Sequence, residues 1–173
     1  TPPSTTAAYL QAGVKLSDGS APMDGRVSVL DLQQMAVLAA QTLTLFNPSG
    51  KISDAFEKGM FASNTLGFDK WFQTQNSPAH TTGTFTASTP LVKGASQTGA
   101  TIDIDGWASG AAFLKKGDTF VIAGVYGWNP LSQKSTGRLQ QFVVTADYND
   151  TTGDMAALPI SPSIITSGAL QTV

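Results

Sequence analysis

The spacing of apolar residues predicts an α+β arrangement in the first 75 residues. Residues 32–46 carry apolar side chains at helical spacing, and Asp31 stands directly before them as an expected N-cap. Alternation over residues 26–30 predicts a half-buried strand before this helix, and the aromatic-rich residues 66–73 predict a second strand after it. The first part of the chain is therefore expected to pack helices against a small sheet.

Capping residues predict two shorter helices in the same part of the chain. Ser4 is an expected N-cap for a helix that reaches Gln11, with Gly13 as its left-handed end. Ser53 is an expected N-cap for a brief helix through Lys58.

From Asn76 onwards the pattern changes to short β-favouring runs separated by turn residues, and no run keeps a helical period for more than two turns. Strands are expected over residues 84–87, 100–104, 119–125, 140–146 and 155–160. Five or six such strands can close a small antiparallel β-barrel. Residues 76–173 are therefore predicted to form a second domain.

Two long polar segments, residues 89–99 and 126–139, interrupt these strands and are predicted to be loops. Loops of this length are usually functional or disordered. The second segment is expected to leave the surface as an excursion that a compact enzyme core would not need, which points to assembly. The alternative is a loosely ordered connection whose Trp128 folds back onto its own barrel.

Four residues of these segments are the candidate interface residues: Lys93, Trp128, Lys134 and Arg138. Tryptophan and arginine are favoured anchors in protein interfaces, and charged residues at an interface rim steer association. They are hypotheses from side-chain chemistry.

The composition allows a folded core but gives little indication of a catalytic or metal-binding function. The chain has 173 residues, 41% of them hydrophobic, and a formal net charge of −2. This charge gives no reason to expect binding to nucleic acid or to a membrane. The chain has no cysteine, so thiolate chemistry is excluded. His80 is the one histidine, so a catalytic triad could be built only around it, and a histidine zinc site would lack ligands. Neither a cofactor nor a metal is predicted.

Two other classes of function remain open. A β-rich binding module, such as one directed at carbohydrate, would expose Trp107 or Trp128 as a stacking platform. A hydrolase would need aspartates that converge in a concave pocket. The acidic clusters at residues 103–105 and 147–154 are expected in polar turns instead, and their spacing does not match a calcium-binding loop.

Several longer motifs carry a family resemblance. The runs GDTFVIAGV, NPLSQKSTGRLQQFVVTAD and PISPSIITSGALQTV, with KGMFASNTLGF and QNSPAHTTG upstream, resemble the coat proteins of P22-like tailed bacteriophages. Because the resembling coat chains are longer, the chain is expected to be a fragment of a major capsid protein.

The resemblance implies a fold, a role and partners. Residues 1–75 would be part of the axial domain of the tailed-phage (HK97-like) capsid fold, and residues 76–173 its β-barrel insertion domain. The protein would self-assemble into an icosahedral procapsid shell, with the insertion domain aiding folding and contacts between subunits. Its partners would be copies of itself in hexamers and pentamers, and a scaffolding protein. It would not be an enzyme, and it would act in the virion after assembly in the host cytoplasm.

Overall fold

The computed structural model describes residue 3 and residues 5–42, 63–85, 89–107, 112–149 and 152–173. The chain divides into two compact units, Thr1–Pro78 and Ala79–Val173. That these units are an axial and an insertion domain stays a prediction. The predicted helix over residues 53–58 and the last residues of the helix over 32–46 lie outside the described residues.

The first unit packs two helices against a two-stranded sheet. Its elements are α1 (Thr6–Asp18), β1 (Val27–Asp31), α2 (Leu32–Thr42) and β2 (Lys70–Thr74). β1 and β2 run parallel, in a register that pairs Val29 with Phe72. The core contains one side chain or more from each helix and from the second strand, namely Tyr9, Met35, Leu38, Phe68 and Trp71.

The N-terminal helix is longer than predicted. α1 continues through Gly13, which is buried, and ends at Asp18 with Gly19 as its C-cap. A glycine inside a helix costs about 1 kcal/mol relative to alanine, and here tertiary packing overrides that preference. The residue at the N-cap position is Thr5, whose side chain makes no capping hydrogen bond, and Ser4 lies outside the described residues.

The predicted cap of the main helix is confirmed, because the Gln33 amide donates a hydrogen bond of 3.1 Å to Asp31 Oδ2. The strand predicted over residues 66–73 begins later, at Lys70. Residues 65–68 form a tight turn in which Leu66 has a φ of 53°. A leucine with left-handed backbone geometry interrupts the regular extended conformation, so the strand starts only after this turn.

The second unit is built from antiparallel strands. They are β3 (Thr84–Phe85), β4 (Leu91–Val92), β5 (Gly99–Asp105), β6 (Ala112–Leu114), β7 (Thr119–Asn129), β8 (Lys134–Val144), β9 (Tyr148–Asn149) and β10 (Met155–Ile164). One sheet has the order β4-β5-β10-β8-β7, and a smaller one has the order β3-β6-β9. β6 and β9 were not predicted, because two or three residues are too few to show a period.

The larger sheet curls into a half-barrel, and its described strands do not close into the predicted barrel. Its two edge strands, β4 and β7, line a common cavity of about 560 Å³. The concave face holds a core of eight buried apolar residues: Ile102, Ile104, Phe142, Val144, Met155, Leu158, Ile160 and Ile164.

The prediction that residues 126–139 form a surface loop is wrong. β7 and β8 pair through this segment up to Asn129 and Lys134, so the turn between them is short. Polar residues are tolerated because much of this part of the hairpin is exposed, and a strand exposed on both faces has no apolar alternation to detect. The alternative of a loosely ordered connection is therefore also wrong.

The other predicted loop, residues 89–99, is also partly a strand. β4 pairs with β5 through Leu91 and Asp105, and Gly99 already belongs to β5. The remaining turn is closed by the Gln97 side chain, which donates to Lys93 O and to Asp103 O and accepts from the Asp103 amide at 2.7 Å.

Replacing Phe142 by alanine is expected to lower the free energy of unfolding of the second unit by about 3–5 kcal/mol, because a fully buried ring is replaced by a cavity. Urea unfolding followed by circular dichroism measures this change. Leu139→Ala is the matched control on the same strand, where the side chain is 42% exposed, and we expect it to change stability by about 0.5 kcal/mol or less. Equal losses in the two variants would contradict the assigned core.

Candidate interaction surface

The turn between β7 and β8 holds its outermost residues in a defined conformation. Asn129 Oδ1 accepts hydrogen bonds from the amides of Leu131, at 3.0 Å, and Ser132, at 2.9 Å, while Asn129 O accepts one from the Gln133 amide. Gln133 adopts a φ of 52°, which is typical of the residue that closes such a hairpin turn. We call residues 128–135 the hairpin tip.

Leu131 is the most exposed large apolar side chain on the described surface, at 84% of its maximum. Pro130 precedes it and fixes its own φ near −65°. The backbone that carries Leu131 is thus ordered before any partner binds. An ordered apolar side chain that faces water is a favourable interface anchor, because little conformational entropy is lost on binding.

Three of the four candidate interface residues lie on this hairpin. Trp128 is half-buried in β7 and pairs with Ser135, while Lys134 begins β8 opposite Asn129. Arg138 is exposed further along β8. The structure therefore brings two basic residues and an aromatic residue onto one hairpin.

The fourth candidate, Lys93, lies on a different element, in the turn that follows β4. Its Nζ forms an exposed ion pair of 2.6 Å with Asp154 Oδ2. This hydrogen bond and the charge of Asp154 raise the pKa of Lys93, with smaller contributions from Asp105 and Asp103. Exposed ion pairs of this kind contribute little to stability. Lys93 is thus part of a local cluster dominated by acidic residues.

The base of the hairpin is fixed by Asp118, which is not among the residues predicted to have a functional role. Its carboxylate is buried and accepts hydrogen bonds from the amides of Lys115, at 2.8 Å, and Gly83, at 3.0 Å. His80 Nε2 lies 2.8 Å from the other carboxylate oxygen. His80, the one histidine of the chain, therefore contacts a carboxylate side chain.

Asp118 also joins the two strands of the hairpin through its main chain. The Val144 amide donates to Asp118 O at 2.8 Å, and the Gly117 amide donates to Val144 O at 2.8 Å. Gly83 must approach this site closely, since a Cβ there would lie 2.0 Å from Phe113 O. The segment that enters the unit, the start of β7 and the end of β8 consequently meet at one residue, Asp118.

The charge of Asp118 is retained despite its burial. Burial raises the pKa of Asp118, but the hydrogen bonds from the Lys115 amide, His80 and the Gly83 amide outweigh it, so that its pKa lies below the ordinary 3.8. A buried carboxylate whose oxygens accept hydrogen bonds from three donor groups is a structural group.

The described residues do not assemble the sites that the other classes of function require. No group of three or more potential metal ligands occurs among them, and the cavity of the half-barrel has Asp118 as its one acidic lining residue in that part of the chain. Trp107 packs against the core and Trp128 is half-buried, so neither is the exposed platform that a carbohydrate module would need. No helix in the described ranges is long and apolar enough to cross a membrane.

Comparison with protein families finds a match over residues 8–170 to the model of the P22 coat protein, described as gene protein 5. The chain belongs to this coat protein family. A comparison with curated proteins finds no match.

Family membership gives the chain a structural role in a bacteriophage capsid, and such coat proteins are a non-enzymatic kind of protein. Their place is the virion capsid, which is assembled from copies of the coat protein. The predicted resemblance is thereby confirmed.

Replacing Asp118 by asparagine is expected to lower the free energy of unfolding by about 1–3 kcal/mol at neutral pH, because buried amides lose a charged acceptor. Since the folded-state pKa of Asp118 is lowered, its stabilisation is present above the ordinary aspartate pKa and is lost as the pH falls through the folded-state value. Wild-type stability should therefore fall more steeply below about pH 4 than that of the variant.

Asp147→Asn is the matched control for this substitution, because within the described residues Asp147 accepts an exposed hydrogen bond of 2.8 Å from the Lys116 amide. Urea titrations at a series of pH values compare the three proteins. Identical acid profiles for wild type and Asp118→Asn would contradict the assigned role of Asp118.

Proposed function

We propose that the chain is the shell-forming region of a major coat protein that self-assembles into an icosahedral procapsid. In this proposal Thr1–Pro78 belongs to the axial domain of the HK97-like fold, and Ala79–Val173 is the inserted β-domain. The family match over residues 8–170 carries the proposal. It is supported by the division of the chain at Pro78, which lies within three residues of the boundary that the resemblance implies.

The inserted domain would aid folding and form contacts between subunits. Its pairings β4–β5 and β7–β8 join strands that follow each other closely in the chain, and such local pairings need little loop-closure entropy. It would contact neighbours through the hairpin tip and the turn at Lys93. Assembly would take place in the host cytoplasm, with a scaffolding protein as a further partner.

Charge supports the hairpin as a contact between copies. The chain carries a net charge of −2, whereas Lys134 and Arg138 make its hairpin basic. A basic projection is attracted to an acidic copy of the same protein, which raises the rate of encounter at low ionic strength.

Electron microscopy of the expressed coat protein tests the proposal directly. Closed shells of uniform diameter are expected. If no shells form and monomers persist over a range of protein concentration, salt concentration and scaffolding protein, the result would contradict the proposal.

Reversing the charge of Lys134, as Lys134→Glu, is expected to slow assembly roughly tenfold at low salt, because it removes attraction between copies. Light scattering follows the assembly rate, and the difference from wild type should shrink at high salt, where charges are screened. Lys116→Glu makes the same charge change at an exposed position away from the hairpin tip and serves as the control. An equal effect of both substitutions would show that net charge, and not the hairpin, is responsible.

A further inference from the structure

The half-barrel leaves an apolar cavity that its own strands do not fill. The cavity measures about 560 Å³ and opens between the edge strands β4 and β7. It is lined mainly by apolar side chains, among them Leu91, Ile104, Phe120, Ile122 and Leu158. A cavity of about 150 Å³ lined by apolar side chains already accommodates a benzene molecule, so this one has room for several apolar groups.

The mouth of the cavity is apolar as well. Leu91 on one edge strand is 65% exposed, and Val121 on the other is 53% exposed. The polar group at the inner end, Asp118, already accepts hydrogen bonds from the Lys115 and Gly83 amides and contacts His80. An occupant therefore needs apolar side chains and no cationic group that reaches the interior.

Acidic residues lie beside the mouth. Asp105 is the register partner of Leu91 in the neighbouring strand, and Asp103 and Asp154 act with it on Lys93. Asp103 and Asp105 alternate with the buried Ile102 and Ile104 along β5, so they lie on the outer face of the sheet at its β4 edge. Together with Asp154 they outweigh one lysine and leave the rim of the mouth on this side negative. The occupant should thus combine an apolar projection with adjacent basic side chains.

The hairpin tip has this combination. Leu131 projects from an ordered turn, and Lys134 lies beside it at the start of β8. We propose that the hairpin tip of one copy inserts Leu131, with Pro130, into the half-barrel cavity of a neighbouring copy, while Lys134 meets the acidic residues near Leu91.

The contact must be made between different copies. β7 runs from Ala123 at the cavity to Asn129 at the tip. Leu131, just beyond it, is 84% exposed, so it does not enter the cavity of its own copy. The tip and the cavity are therefore distinct surfaces, and joining them gives a head-to-tail contact, which closes into a ring when the rotation between copies permits. The inference extends the proposed function, on which it rests for the presence of neighbouring copies, by naming the surface that receives the hairpin.

Disulfide trapping tests this contact, and the chain contains no cysteine of its own. A coat protein with Leu131→Cys and Ala123→Cys is oxidised, both in assembled particles and as concentrated unassembled protein, and separated on a non-reducing gel. A ladder of covalent multimers is expected, because every copy carries one tip cysteine and one cavity cysteine. Each single-cysteine variant should give no band above the dimer and much less dimer.

The pair Leu131→Cys with Leu139→Cys is the matched control, since Leu139 is exposed on β8 and does not line the cavity. It should give no ladder. Ala123→Trp, which fills the mouth, should abolish cross-linking between Leu131→Cys and a cysteine at Val121.

The outcomes separate this inference from the proposed function. Shells that form normally but give no ladder overturn the tip-to-cavity contact and leave the shell function standing. A ladder in protein that never forms shells supports the contact and contradicts the shell function. A dimer of equal yield from Leu131→Cys alone would show that tips meet each other, which overturns the proposal.

Discussion

The position of the hairpin depends on one buried carboxylate. Asp118 holds together the segment at His80 and Gly83, the turn at Lys115 and, through its main chain, the end of β8. Because burial alone would favour the neutral acid, the charged state persists only while these donors remain in place. The hydrogen bonds and the charge therefore maintain each other, and the base of the hairpin is rigid as a result.

Because the base of the hairpin is held in place, the position of the hairpin tip is defined as well. Pairing between β7 and β8 carries this rigidity outward to the turn, where Asn129 bonds the amides of Leu131 and Ser132. The pairing shifts register twice on the way, and Gly124 and Gly137 take positive φ values in the shifted stretches. Glycine is favoured at such bulges, which bend a hairpin and direct its end. The chain thus presents an apolar side chain beside a basic one at a set place, as contacts among identical coat subunits require.

The sequence predicts those features that are encoded locally. The α2 helix has both a periodic apolar face and an N-cap at Asp31, and each signal is contained within a few residues. The outer hairpin carries no such signal, because its exposed strands lack an apolar period, although the Asn129-Pro130 pair is typical of a turn. Loop assignments for residues 89–99 and 126–139 failed for this reason.

The candidate site was predictable in part. Trp128, Lys134 and Arg138 could be selected from side-chain chemistry, and the structure places them on one hairpin. Asp118 could not be recognised as buried, since its partners His80 and Gly83 are 38 and 35 residues away in the chain. The ordered exposure of Leu131 likewise follows from the fold, because leucine by itself predicts burial.

Hydrogen exchange in assembled shells, compared with unassembled coat protein, tests most directly whether this chain works through its hairpin. The amides of Leu131, Ser132 and Gln133 should exchange more slowly in the shell, because a neighbouring copy covers the turn that carries them. Exchange at equal rates in the two states, with protection confined to other surfaces, would contradict the account.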